Sequence, residues 1–282
     1  MVLADPGTGD RWSSGLWSRL LIGRTIARMN VLIVFAHPDP TSLTAALKDV
    51  AVEALRVGGH EVVVSDLYAM KWQAAADFND FDGITGPDFM HASGEAYGTG
   101  RLNAEVRAEQ QKLRDADLVI LHFPLWWFTM PAILKGWIDR VFTYDFAYGA
   151  KLSRYGAGPF AGKRAMVATT AGGRSGHYTA RGVNGPTEDL LFPVNHGVLH
   201  FTGFDVLPPF VEHSAVHLDD ESYTAIAGRY RDRIKAAFTT EPIPYRSESG
   251  GDYTGLTDPD GSELAPGLET PGTSGFALHL AA

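Results

Sequence analysis

The sequence predicts an α/β domain of the doubly wound class, a five-stranded parallel sheet with helices on both faces. Three observations lead there. Between residues 30 and 238, short apolar runs alternate with longer amphipathic ones. The apolar runs are near-continuous, as expected for strands covered on both faces. Each parallel pair needs a crossover, which the amphipathic runs supply.

The first strand is expected at Val31–Ala36, and a helix follows over Thr44–Val57. Gly58-Gly59 stops that helix, because glycine accepts the left-handed backbone of a helix end. The second strand is Glu61–Ser65. Lys71–Gly100 carries Gly, Asp and Phe with little period, and reads as an insertion, a flap or loop excursion. Helix Ala104–Arg114, strand Leu118–Phe123, helix Ile133–Phe142 and strand Ala165–Thr169 come next. Helix Glu188–Leu199, strand Phe204–Val206 and helix Asp220–Ala237 close the domain. Glu188-Asp189 and Asp219-Asp220 sit at helix starts, where carboxylates meet the positive end of the dipole.

The domain is bounded at 29–238. Residues 1–28 form an N-terminal extension whose longest apolar run, Leu20-Leu21-Ile22, is too short for a signal segment, and Met29 is the expected natural start. Residues 239–282 hold seven glycines and five prolines in 44 positions, yet Tyr245, Tyr253, Leu256, Leu264, Leu268, Phe276 and Leu278 recur through them. A loose tail and an arm anchored on the body or on a partner subunit both fit that composition.

Of the 282 residues, 45% are hydrophobic and 20% charged, which is ordinary globular composition. With 24 Lys+Arg against 33 Asp+Glu the net charge is −9, so phosphate backbones repel the chain and no nucleic-acid partner is expected. No cysteine is present, which removes disulfides, thiolate nucleophiles and Cys-based metal sites. No apolar run is long enough for membrane insertion.

In an open parallel sheet, ligands bind beyond the carboxyl ends of the strands, where strand order reverses. Three loops there are unusual. In His37-Pro38-Asp39-Pro40-Thr41-Ser42 the glycine-rich dinucleotide fingerprint is missing, since no glycine occurs from Asn30 to Val57. Thr41 and Ser42 instead offer hydroxyls and N–H groups at a helix start, either to cradle a phosphate or merely to cap the helix. In Phe123–Pro131, Trp126-Trp127-Phe128 lie between two prolines and cannot all enter one core, so some line a concave surface suited to a planar aromatic ligand. In Thr170–Tyr178, Gly172-Gly173 let the backbone approach a ligand closely.

Phe123-Pro124-Leu125-Trp126-Trp127-Phe128-Thr129-Met130-Pro131-Ala132-Ile133-Leu134-Lys135-Gly136-Trp137, with Arg140-Val141-Phe142 and Phe146-Ala147-Tyr148, resembles the flavin-dependent NAD(P)H:quinone reductases of flavodoxin-like fold. Ala36-His37 with Thr41-Ser42, Ser65–Met70, and Thr169 through Tyr178 to Gly203-Phe204 match the same family in consistent order. The resemblance implies two-electron, ping-pong transfer of hydride from NAD(P)H to quinones or related electrophiles through non-covalent FAD, with FMN as the alternative. It implies that His37, Thr41, Ser42, Leu43 and Thr44 hold the phosphates and ribityl chain. Pro124, Leu125, Trp126, Trp127 and Phe128 would flank the ring system, and Thr170, Gly172, Gly173 and Tyr178 would meet its polar edge. Trp127, Phe128 and Tyr148 would meet the substrate, Tyr148 reaching it from the other subunit of a homodimer with its active site at the interface. A cytoplasmic location goes with the resemblance.

Several positions depart from the family pattern. Asn184 stands where its best-known members have a histidine, leaving Tyr178 as the catalytic hydroxyl and Asn184 to orient only. Ala150 replaces a second pocket tyrosine, and Met90 and Tyr223 replace a glutamine and an arginine on the cofactor side. Two other functions fit the same fold: an ancillary regulatory subunit of a potassium efflux system, and a flavodoxin-like electron carrier. His196/His200 and His213/His217 have helix-face spacing, but no H-E-x-x-H accompanies them and no metal is expected. Lys135 and Arg140 read as a surface pair.

Overall fold

A computed structural model describes residues 28–216, 218–254, 263–269 and 272–281. The sheet is built from β1 (Asn30–Phe35), β2 (Glu61–Asp66), β3 (Leu118–Pro124), β4 (Arg164–Thr170), β5 (Asp205–Val206) and β6 (Phe210–Glu212). Its order is β2-β1-β3-β4-β5, every pairing is parallel, and β6 also pairs with β4. The fifth position is therefore shared. Pro208-Pro209 interrupts the strand after Val206, since proline brings no donor to a ladder, and pairing with β4 resumes at Ala168↔Phe210.

Helices α1 (Leu43–Val57), α2 (Phe89–Gly98), α3 (Ala104–Asp115), α4 (Ala132–Val141), α5 (Thr187–Val194) and α6 (Asp220–Lys235) surround the sheet. Successive strand side chains point to opposite faces. Val31, Ile33 and Phe35 pack with α1 and α6, whereas Leu32 and Val34 join the core around Leu113, Leu134 and Trp137. Both faces are covered, so β1 and β3 are buried almost throughout. Helix α1 ends as the sequence predicts, with Gly58 capping and Gly59 at φ +84°.

Lys71–Gly100 differs from its expectation as a loop. It contributes Trp72, Phe81, Ile84, Ala92 and Ala96 to the core and forms α2. The buried face of α2 is Ala92, Ser93, Gly94 and Ala96, residues too small to write an amphipathic stripe into the sequence. The segment is pinned by Arg140, which is also not a surface residue: it is 4% exposed, its Nη2 lies 2.5 Å from Asp80 Oδ1, and its guanidinium stacks 4.3 Å from the Trp72 ring. Lys135 pairs instead with Asp139 at 2.6 Å.

The helix expected over Glu188–Leu199 is α5 followed by a π-helical turn, Asn195–His200. Pro193 lies inside α5 and has no N–H to donate, and the turn beyond it widens. His196 and His200 face Tyr155 and Tyr245 across ring distances of 5.0 Å and 5.1 Å. Among the described residues no group of three or more His, Asp or Glu is placed to hold a metal ion, and His217 lies outside them.

Beyond α6 the chain returns across the body. Ile243 N–H donates to Val206 O at 2.7 Å, and Phe276 stacks on Phe192 at 4.2 Å. Buried Arg246 gathers the arm, donating to Leu278 O and Leu268 O and pairing with Asp252 at 2.5 Å. Residues 1–27 and Leu256 lie outside the described residues. No helix among the described residues is long and apolar enough to cross a membrane.

Candidate active site

The three loops meet at the carboxyl edge of β1, β3 and β4. The first runs His37–Ser42 into α1. Its hydroxyls are turned inward: Thr41 donates to Asp39 Oδ1 at 2.7 Å and Ser42 to Asp39 O at 2.8 Å. The two Thr41 hydrogen bonds, side-chain then backbone, hold the Asp39 carboxyl below its ordinary range. Ser42 caps α1 by accepting from Ala45 N–H at 3.2 Å. Capping is thus a role of Ser42. The N–H groups of Leu43 and Thr44, which no helical turn precedes, remain at the positive helix end for an anion.

The second loop leaves β3 at Pro124. Trp126 N–H donates to Thr129 O at 2.9 Å and Thr129 N–H returns to Trp126 O at 3.0 Å, closing a two-residue turn. Its central residues, Trp127 and Phe128, have φ +50° and +62°. Two consecutive positive φ values belong to a turn that ordinarily takes Asn-Gly. In a non-glycine residue each costs roughly 1–2 kcal/mol. Strain of this kind collects at ligand sites. The exposures are 39% for Trp126, 93% for Trp127 and 47% for Phe128, so none of the three enters the core.

The third loop follows β4. The 3₁₀ turn Ser175–Tyr178 brings the Tyr178 ring over Gly173, where an added Cβ would lie 2.9 Å from the ring. A larger residue at 173 would push the Tyr178 ring away from this position. Asn184 is drawn in by its N–H donating to His177 O at 2.9 Å. The Tyr178 hydroxyl makes no hydrogen bond among the described residues.

Three contacts join the loops. The Thr44 and Thr170 hydroxyls lie 2.7 Å apart in buried surroundings. Leu125 N–H donates to Thr170 O at 2.8 Å. The His37 and Trp126 rings lie 5.8 Å apart. His37, Thr41–Thr44, Pro124–Phe128, Thr170, Gly172, Gly173, Tyr178 and Asn184 consequently fall in one region. Tyr148 does not join them. Its ring packs on Tyr144 at 5.5 Å, its carbonyl accepts from Asp145, and burial followed by Tyr144 raises its pKa.

Sequence reasoning considered His213 only as a spaced pair with His217 and missed its place by Tyr178, where its ring lies 4.9 Å away and burial lowers its pKa. Nothing local marks it, because Ala171 and Gly173 are stitched to the chain after β6 by hydrogen bonds to Glu212 O and from Ser214 N. It also missed Asp39 as the hub of the first loop, although its partners His37, Thr41 and Ser42 lie within three residues of it.

These residues suit a flat aromatic group with an anionic tail: exposed aromatic faces, a glycine turn, an uncommitted hydroxyl and the N–H groups of a helix start. Comparison with known proteins gives the family. The family model described as flavodoxin-like fold matches residues 29–234. The ribosyldihydronicotinamide dehydrogenase-like protein traD of Penicillium crustosum is 49% identical over 265 residues, 89% of this chain and 95% of that protein. NAD(P)H dehydrogenase (quinone) 1 of Rattus norvegicus is 39% identical over 228 residues, 79% of this chain and 83% of that protein. A Klebsiella pneumoniae chain assigned as a quinone reductase superposes with TM-score 0.84 at 46% identity, over 90% of this chain and 100% of the other. The chain belongs to the flavodoxin-like family of NAD(P)H dehydrogenase (quinone)-type oxidoreductases.

Proposed function

We propose that this chain is an NAD(P)H:quinone oxidoreductase that holds FAD non-covalently and turns over by a ping-pong sequence. The observation that carries the proposal is the strained, exposed Trp127-Phe128 turn, which follows β3 at the same sheet edge where the Tyr178 loop follows β4. A bound flavin supplies two-electron relay between a nicotinamide donor and a quinone.

The chain's own groups do the rest. Leu43 and Thr44 N–H groups bind phosphate at the start of α1, with His37, Thr41 and Ser42 shaping that end. Pro124 to Phe128 fix the plane of the ring and keep water from it, which shortens transfer distances. Donor and acceptor meet the same open face in turn, so double-reciprocal plots should be parallel. Tyr178 Oη, the Gly172 and Gly173 amides and Thr170 would hold the polar edge of a bound flavin, and the Tyr178 hydroxyl would donate a hydrogen bond that stabilises negative charge there. Asn184 orients and does not change charge. A Trp that is 93% exposed is out of keeping with a solvent-facing surface. A second copy covering it, and presenting its own Tyr148, makes the homodimer part of the proposal. The ancillary-subunit and electron-carrier alternatives gain no support from the relatives' names.

The test is direct. Heat-released cofactor from the natively expressed protein should chromatograph as FAD, and Tyr178→Phe should slow its reduction by NAD(P)H by roughly 100-fold, the scale of a lost oxyanion donor. A colourless protein that binds neither flavin overturns the proposal; an unchanged rate in Tyr178→Phe removes the role of Tyr178.

A further inference from the structure

The related proteins divide by donor: one name specifies NAD(P)H, whose dinucleotide bears phosphates, and the other a ribosyldihydronicotinamide, which bears none. From the charges around the loops we infer that Arg174 and Arg181 are the phosphate-recognising residues of this chain and select dinucleotide donors. The inference rests on the function proposed above and deepens it.

Four observations support it. First, the chain carries −9, so a polyanionic donor is repelled unless the site supplies local positive charge. Second, residues 171–187 contain Arg174 and Arg181 and no Asp or Glu. Third, the other cations bordering the three loops are neutralised. Lys48 pairs with Asp49 at 2.5 Å beyond the first loop, Lys135 with Asp139 at 2.6 Å beyond the second, and Arg229 with Glu212 at 2.6 Å beside the third. Arg174 and Arg181 are exposed, and their guanidinium groups have no hydrogen bond or ion pair among the described residues.

Fourth, both are fixed to the Tyr178 turn. Arg174 O accepts from His177 N–H at 2.9 Å, and Gly182, next to Arg181, packs so closely on His177 that a Cβ would sit 2.2 Å from its carbonyl oxygen. Both arginines are therefore carried on the turn that holds the residue proposed to face the flavin. Their planar forks match phosphate oxygens bidentately. A riboside has nothing for them to hold.

The experiment compares the flavin-loaded protein with Arg174→Gln/Arg181→Gln. Both side chains are exposed and unbonded, so the variant is expected to fold. The ratio of kcat/KM for NADPH to that for dihydronicotinamide riboside should fall at least roughly tenfold, the value of charged hydrogen bonds. The wild-type preference should shrink as salt rises. Calorimetric binding of adenosine 2′,5′-bisphosphate, which needs no turnover, should weaken in parallel. Unchanged bisphosphate binding and an unchanged donor ratio overturn the inference. If neither donor reduces the protein while bisphosphate binding still depends on the two arginines, the anion site stands and the quinone-reductase proposal falls.

Discussion

The hydroxyls of Thr44 and Thr170 meet at 2.7 Å beneath the three loops, joining the first turn of α1 to the last residue of β4. Thr44 is 2% and Thr170 6% exposed, so water cannot replace either partner. The contact sets how far the phosphate-binding helix start stands from the glycine loop.

Thr170→Val should destabilise the fold by about 1–3 kcal/mol in urea unfolding, because it leaves the Thr44 hydroxyl buried without a partner. Thr44→Val/Thr170→Val should cost less than the sum of the single changes, and flavin titration should show weaker uptake in each. Additive costs in the double variant would mean the two hydroxyls are not coupled.

Arg140 is the clasp of the Lys71–Gly100 segment. Burial opposes its charge, but the hydrogen bonds it donates to Asp80 and Glu105 outweigh burial and raise its pKa. Arg140→Ala leaves Asp80, 3% exposed, as an unpaired buried carboxylate, and should cost about 3–5 kcal/mol. Removing both groups in Arg140→Leu/Asp80→Leu should recover much of that loss. Denaturant midpoints of the single and double variants decide the point.

Two buried histidines make the protein acid-sensitive. Burial lowers the His122 pKa to about 3, and burial followed by the charges of His200 and His279 lowers that of His196 to about 4. Below the ordinary histidine value of 6.5 the unfolded chain takes up protons that the folded chain refuses. Stability should therefore be complete above that pH and decline as pH falls toward 4 and then 3, by at most about 1.4 kcal/mol per pH unit for each histidine. His122→Gln should flatten the slope by one group. An equal slope in the variant would place the proton elsewhere.

Legibility followed physics. The strands Val31–Ala36 and Leu118–Phe123 were readable because a strand buried on both faces must be apolar throughout. Phe210–Glu212 was not, because three residues after Pro208-Pro209 carry no period. Helix α2 was hidden by the small residues that let it pack closely. Arg140 was misplaced because arginine is ordinarily a surface residue, and remote partners reverse that, Asp80 sixty positions away along the chain with Trp72 and Glu105. In the site, the aromatic run and the glycine pair stood out locally, whereas His213 reaches Tyr178 only through the pairing of β4 with β6.

What the amino-acid order determined on its own was everything that depends on neighbours in the chain: the alternation of elements, the helix stop at Gly58-Gly59, and three loops with unusual chemistry at strand ends. What the tertiary structure decided was everything that depends on distant partners. It brought Thr44 to Thr170, buried Arg140 against Asp80, set His213 beside Tyr178, and left Tyr148 apart from the three loops within one chain. The reason is range. Backbone propensity and apolar period act over a few residues, but hydrogen-bond satisfaction and charge pairing are settled only when the sheet brings remote segments to one edge.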